Sequence, residues 1–249
     1  MKNQVLCLIN IIFFLAEFAT AQEQTIFERE GYTSLFSGKD LSGWKVPEGD
    51  NGHWSVITGF IDYDARSEAA GDKNLYTEKE YENFKLHVEW RFTGYGDQPY
   101  NVPIILENGE YLKDENGEVY RKPMPNADSG ILLKGVGQAN LWCWPAGSGE
   151  LWSVRNNKDL PAEVRAGAVP SENADQPVGE WNAMDITVQG NRITVINNGI
   201  EVISHALYPG LDVKGPIGLQ HHGGVDPKTG KLRPASSLVQ FRNIWIKEL

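Results

Sequence analysis

Between Phe84 and Phe92 the chain alternates without a break. Phe84, Leu86, Val88 and Trp90 fall on one side, and Lys85, His87, Glu89 and Arg91 on the other. A period of two marks a strand with one buried face. The same signature recurs later. Met184 to Gln189, Arg192 to Asn197 and Ile200 to Ser204 read as a meander, turning at Gly190-Asn191 and Asn198-Gly199. An Asn-Gly pair supplies the positive φ angles of a tight hairpin. Trp54 to Ile61 reads as two short strands about a turn, and Ile131 to Lys134, Asn140 to Trp144, Ile217 to Gln220 and Leu238 to Ile246 are further strands. Helical periodicity is weak; Glu78 to Glu82 and Leu160 to Ala166 each have room for a turn or two. With 26 Gly and 13 Pro in 249 residues, the chain predicts many strands around one core, an all-β two-sheet sandwich. One sheet of such a fold can be concave and carry a groove for a long ligand. The stretch from Gly94 to Asn126, with turns at Asn108-Gly109 and Asn116-Gly117, reads as an insertion that could wall one side of it.

The first 21 residues read as a cleaved secretory signal. Lys2 precedes an apolar run from Val5 to Leu15, and Ala19-Thr20-Ala21 has the small-x-small cleavage pattern. The run is shorter than the ~20 residues a spanning helix needs. The expectation is a single mature domain over residues 22–249, secreted or periplasmic, with no stable membrane anchor. Cleavage removes one Lys and one Glu and leaves the net charge at −10, which disfavours a nucleic-acid partner. It also removes Cys7, leaving Cys143 without an intrachain disulfide partner. No cysteine metal cluster is then possible, and Cys143, between Trp142 and Trp144, reads as a small buried hydrophobe.

No phosphate loop, Gly-x-Ser-x-Gly elbow or His-Glu-x-x-His is present. The pair His221-His222 cannot readily serve one site, because adjacent strand residues face opposite ways. An imidazole ordinarily titrates near neutrality, so His222 is a candidate acid or base. The polar face of Lys85, His87, Glu89 and Arg91 is either a solvated surface or the lining of a groove. Trp142-Cys143-Trp144, followed by Gly147-Ser148-Gly149-Glu150, joins indoles able to stack on a sugar to a flexible turn and a carboxylate. Each signal alone is weak.

Taken in order, the residues resemble the secreted 3-keto-disaccharide hydrolase family, long known as DUF1080. Leu35-Phe36-Ser37-Gly38-Lys39-Asp40-Leu41-Ser42-Gly43-Trp44 is similar to its opening. Leu75-Tyr76-Thr77, Tyr81-Glu82-Asn83-Phe84-Lys85-Leu86 and Glu89-Trp90-Arg91 resemble its second block, and Asp128-Ser129-Gly130-Ile131-Leu132-Leu133-Lys134 its Asn-Ser-Gly block. Gly179-Glu180-Trp181-Asn182, Asn198-Gly199, Gly215-Pro216-Ile217-Gly218-Leu219-Gln220 with His222-Gly223, and Phe241-Arg242-Asn243-Ile244 follow in order. The resemblance implies a concanavalin-A-like jelly roll with carbohydrate chemistry on its concave face. It departs from the family where many members carry a Glu-x-Gln strand. Here Gln138-Ala139-Asn140 stands instead, so either Glu150 replaces the acid or the substrate differs.

The reaction so implied is cleavage of a glycoside already oxidised at C3 by a separate dehydrogenase. A base takes the C2 proton, the C1 substituent leaves by β-elimination, and water adds to the enone. Glu89, Glu150 and His222 are the candidate bases and acids. Arg91, Lys134 or Arg242 could stabilise the developing negative charge, and Asp128, Trp142, Trp144, Asn182 and Gln220 could line the sugar site. No cofactor is required by the sequence; a divalent metal could stabilise the same charge, but no ligand set is readable. Two alternatives stand: a conventional two-carboxylate glycosidase and a non-catalytic, lectin-like carbohydrate-binding module.

Overall fold

A computed structural model describes residues 26–96 and 100–249. The expected signal segment, residues 1–21, lies outside the described residues. Among those described, no helix is long and apolar enough to cross a membrane.

The chain runs β1 (Thr33–Ser34), β2 (Trp44–Lys45), β3 (Trp54–Ile57), β4 (Phe60–Tyr63), β5 (Leu75–Tyr81), β6 (Phe84–Phe92), β7 (Tyr100–Pro103), β8 (Arg121–Met124), β9 (Asp128–Leu133) and β10 (Gly137–Trp142). Two short helices follow, α1 (Trp152–Asn156) and α2 (Ala162–Ala166), then β11 (Asn182–Gln189), β12 (Arg192–Asn197), β13 (Ile200–Leu207), β14 (Gly215–Leu219) and β15 (Val239–Glu248). One sheet has the order β13-β12-β11-β6-β15-β4-β3, with β1 added to β15; the other is β10-β9-β14-β5-β2. All these pairings are antiparallel. The result is an all-β jelly-roll sandwich of the concanavalin-A-like kind.

The alternation read from β6 sets the layering. Phe84, Leu86, Val88 and Trp90 enter one core cluster with Ile131 and Leu133 of β9 and Ala139 and Leu141 of β10. Burying a side chain of this size contributes about 1.5–3 kcal/mol. The meander is β11 to β13, and Asn198 and Gly199 take φ of 51° and 82° at its second turn, as the hairpin requires. The Gly94–Asn126 excursion folds as the separate ribbon β7–β8.

The helical turn expected at Glu78 to Glu82 is replaced by strand. Tyr81 pairs with Gly215, Glu80 with Pro216 and Thr77 with Trp44. A register irregularity between Pro216 and Gly218 breaks the period of two in β5, and exposed charges at Glu78, Lys79 and Glu80 hide the buried Thr77 and Tyr81. The turn expected near Leu160 to Ala166 is present as α2.

The face assignment has a direct test. Leu86→Ala, in the core, should lower unfolding free energy in urea by about 2–5 kcal/mol. Lys85→Ala, one residue away on the solvent side, should change it by less than about 0.5 kcal/mol.

Candidate functional site

Every residue of β9 and β10 that enters the core leaves its neighbour on the outer face of the five-stranded sheet. On β9 these neighbours are Asp128, Gly130 and Leu132, and on β10 Trp142, Asn140 and Gln138, paired in that order across the ladder. On the far side of β9, Gly218 of β14 pairs with Leu132 and with Tyr76 of β5. Just past β14, the Gln220 N–H donates to the Gly130 carbonyl at 3.0 Å. These residues floor a cleft of about 510 Å³, walled by Tyr100, Trp144, Trp152, Tyr208 and His222 among others.

Two glycines make room in the floor. A Cβ on Gly130 would lie 2.4 Å from Gln138 Nε2, and one on Gly218 would lie 2.7 Å from the Tyr76 ring. The Gln138 amide therefore lies across Gly130. It donates to Gln220 Oε1 at 2.9 Å and to Asn140 Oδ1, and Gln220 Nε2 donates back to Gln138 Oε1 at 3.2 Å. Asn140 Nδ2 donates to Glu150 Oε2 at 3.3 Å. Each amide nitrogen carries two protons, so Gln220 and Asn140 each keep one N–H for a ligand, whereas those of Gln138 are committed.

Asp128 and His222 face this amide floor. Burial pushes the Asp128 carboxyl up to about 7, while the nearby His222 pulls it down. Among the described residues no hydrogen bond reaches that carboxyl. His222 Nδ1 lies 2.7 Å from the Ala235 carbonyl, which can only accept, so Nδ1 holds a proton. The other ring nitrogen, Nε2, then carries the lone pair of the neutral ring. Ser237 Oγ fixes the backbone here: it donates to the Asp128 carbonyl at 2.7 Å and accepts from the His222 N–H at 2.8 Å. Nothing local in the sequence marked Ser237, because its partners lie far away in the chain.

Trp142 and Trp144 stack at 4.0 Å with planes 4° apart. Trp142 Nε1 donates to the Gly147 carbonyl at 2.7 Å. Val102, Ile105 and Met124 of the inserted ribbon and its surroundings pack against the pair, and Tyr100 reaches the cleft. The insertion thus forms one wall, as expected.

Of the residues singled out from the sequence, Asp128, Trp142, Trp144, Gln220 and His222 come together. Glu150 does not reach the cleft. It is fully buried behind Asn140, paired with Arg155, whose guanidinium lies 4.7 Å from the Tyr111 ring centre and donates to the Tyr111 hydroxyl. Burial raises the Glu150 carboxyl and Arg155 opposes it; because a guanidinium keeps its proton, a neutral Glu150 would strand a buried cation, and the pair persists as ions.

Glu89 lies on the opposite side of the molecule. It occupies the outer face of the eight-stranded sheet, where Arg242 Nε and Asn243 Nδ2 donate to it at 2.6 and 2.7 Å. A bulge between Arg242 and Trp245 of β15, with Asn243 at φ 46°, turns two consecutive donors to one carboxylate. Arg91 and Arg242 share that face, with guanidinium carbons 4.6 and 4.1 Å from the Trp181 ring centre. Lys134 is spent on the carbonyls of Leu211 at 2.8 Å and Gly190 at 3.3 Å. Asn182, 2% exposed, accepts from the N–H of Gln176 and the side chain of Asn198. Glu89, Arg91, Lys134, Asn182 and Arg242 are therefore placed in the scaffold. The adjacent histidines do part: His221 Nδ1 meets the Tyr63 hydroxyl at 2.6 Å, and burial lowers its ring to about 4. Burial lifts the Cys143 thiol to about 11, leaving it unreactive.

Among the described residues, no group of three or more His, Cys, Asp or Glu side chains could hold a metal ion.

No curated protein matches the chain. Two solved structures from Parabacteroides distasonis ATCC 8503, each described as a candidate glycosyl hydrolase, share its fold. The first superposes with a TM-score of 0.53 at 23% identity, covering 88% of this chain and 84% of that one. The second gives 0.50 at 21% identity, covering 89% and 95%. Residues 31–247 match the 3-keto-alpha-glucoside-1,2-lyase-like domain, and the chain belongs to that family.

Proposed function

We propose that this protein cleaves glycosides oxidised at C3, in the cleft on the five-stranded sheet, with His222 and Asp128 as the proton-transfer pair. The observation that carries the reading is their juxtaposition over a floor of amides: one imidazole with a tautomer fixed by Ala235, and one carboxyl raised to about 7.

A C3 carbonyl acidifies the hydrogen on C2. His222 Nε2 takes that proton, and the electron pair passes into an enolate whose oxygen accepts the unspent N–H of Gln220 or Asn140. A well-aimed donor of this kind contributes about 3 kcal/mol to the barrier. The enolate then re-forms its carbonyl as the C1–O bond breaks, and the protonated Asp128 gives its proton to the leaving oxygen. The products are a 1,2-unsaturated 3-ketone and an alcohol. For hydration, the Asp128 carboxylate takes a proton from water as the hydroxyl adds to C1, and the His222 imidazolium returns a proton to C2. Both groups end as they began. The substrate must be supplied by a reaction that oxidises a glycoside at C3, and a secreted or periplasmic enzyme would meet it outside the cytoplasm. All residues in this sequence belong to the chain itself, and assay with a chelator tests for a divalent-metal requirement.

Among the described residues the cleft is lined by one carboxylate, Asp128. A conventional glycosidase needs two, about 5–5.5 Å or 6.5–9.5 Å apart, and Glu150 is held behind the floor by Arg155. A lectin-like module would need the stacked tryptophans but no proton-transfer pair.

Purified protein incubated with a 3-keto-glucoside and its unoxidised parent should cleave the keto form alone. Cleavage of the parent alone, or binding with no turnover of either, would overturn the reading. Asp128→Asn and His222→Ala should each lower kcat by roughly 10²–10⁴-fold, with less loss for Asp128→Asn when the leaving group is a nitrophenoxide, which departs without a proton.

Asp128 acts as an acid only while protonated. Its carboxyl is raised above the usual carboxylate range to about 7, so kcat/KM for an alkyl 3-keto-glucoside should fall tenfold per unit above about pH 7, and fall again in acid, where a protonated His222 cannot take the C2 proton. Asp128→Asn should abolish that alkaline limb. Glu89→Gln should leave turnover within about twofold and instead lower stability by about 1–3 kcal/mol, since it weakens a charge-assisted bond to Arg242 on the far sheet.

A further inference from the structure

The floor of the cleft changes character along its length. Asp128 and Trp142 form one row, Gly130 and Asn140 the next, and Leu132 and Gln138 the third. Asp128 and Leu132 are four residues apart on one strand, which is about 13 Å. Past Leu132 the chain turns through Gly135 and Val136 into β10, and Trp152, Ser153 and Tyr208 close that end of the cleft.

The hydroxyl protons of Ser153 and Tyr208 at this end are already used. Ser153 Oγ and Tyr208 Oη share a hydrogen bond, and Tyr208 Oη also donates to the Val136 carbonyl at 3.5 Å. What remains is apolar surface. Val136 is 57% exposed and Trp152 49%. The fold does not explain Trp152: in α1 the residues turned inward are Val154 and Arg155, and the indole is left over the cleft. A second sugar ring would bring several hydroxyls to this end, where few free donors or acceptors could replace their water; a flat hydrocarbon ring would lose little and cover the indole.

We infer that the hairpin end of the cleft is the subsite for the leaving group, and that it selects an apolar ring over a second sugar, with Trp152 as its stacking platform. This rests on the reading of Asp128 and His222 as the proton-transfer pair. It places the C1–O bond between an amide-floored half that holds the oxidised sugar and an indole-capped half that holds the aglycone.

Benzyl and methyl 3-keto-glucosides test this cleanly, because both leave as alkoxides and differ by the ring. Wild type should prefer benzyl over methyl in kcat/KM by about tenfold or more, and should prefer benzyl over a 3-keto-disaccharide. Trp152→Ala should reduce the benzyl-to-methyl ratio about tenfold, and Trp152→Phe should restore most of it, a size of effect expected for one aromatic stack and its buried area. An unchanged ratio in Trp152→Ala, or a wild-type preference for the disaccharide, overturns the inference while leaving the proton-transfer reading intact. Calorimetry with unoxidised benzyl and methyl glucosides decides the matter independently of turnover. Tighter binding of the benzyl compound to wild type, lost in Trp152→Ala, supports the subsite even if neither keto substrate is cleaved; equal binding of the two overturns it.

Discussion

Each side chain of β9 and β10 that fills the core commits its neighbour to the opposite face. Ile131, Leu133, Ala139 and Leu141 are fully buried, and slipping β10 by one residue would bring Gln138 and Asn140 inside without partners. The cost of such a slip fixes the register, and the register alone puts Asp128 beside Trp142 and Gly130 beneath Gln138. The site is therefore a by-product of core packing. The strands supply a rigid floor, and the loop after β14 that carries His222 is tied to it by Ser237, which bonds both the Asp128 carbonyl and the His222 N–H.

Behind that floor sits a second constraint of a different kind. Arg155 and Glu150 are 1% and 0% exposed at their side chains. A buried ion pair gains little net stability over a packed apolar pair, but removal of one partner is expensive. Here the pair has a positional effect. Glu150 takes one proton of the Asn140 amide, which orients the rest of that group toward the cleft. The carboxylate expected to act directly on a sugar instead acts on the residue that faces it.

Much of the fold could be read from alternation. β11 and β12 are the segments in which buried and less buried residues change strictly, whereas β6 alternates in sequence but also buries His87 and Glu89. The reading broke where the period did, at the irregularity that hides β5, while β15 was read as a strand in spite of its bulge. The site was legible only in part, for a related reason. Alternation says that Glu89 and Val88 face opposite ways, but not which outer face carries the cleft. The ionisable face of β6 could be read as a solvated surface or as the lining of a groove; in space Glu89 meets Arg242 and Asn243, Arg91 meets Trp181 and His87 meets Asp185, away from the cleft. The converse error concerned neutral residues. Gln138 and Asn140 bear no charge and no motif, and their role depends on glycines that only pairing brings beneath them. His222, Trp142 and Trp144 stood out by residue type, whereas Asp128 and Gln220 entered the site through the resemblance, whose ordered blocks carry the long-range information that local pattern lacks.

The ribbon of β7 and β8 hydrogen-bonds to neither large sheet. Its hold on the molecule is side-chain packing, chiefly Val102, Ile105 and Met124 against the stacked indoles, and the ion pairs of Glu110 with Lys158 and Arg165. Changes at its exposed positions would leave the ladders of both large sheets intact, whereas Val102, fully buried against Trp142 and Trp144, is tied to the core. The reach of the enclosure can therefore be altered at the exposed positions of this ribbon without disturbing the strands that floor the cleft.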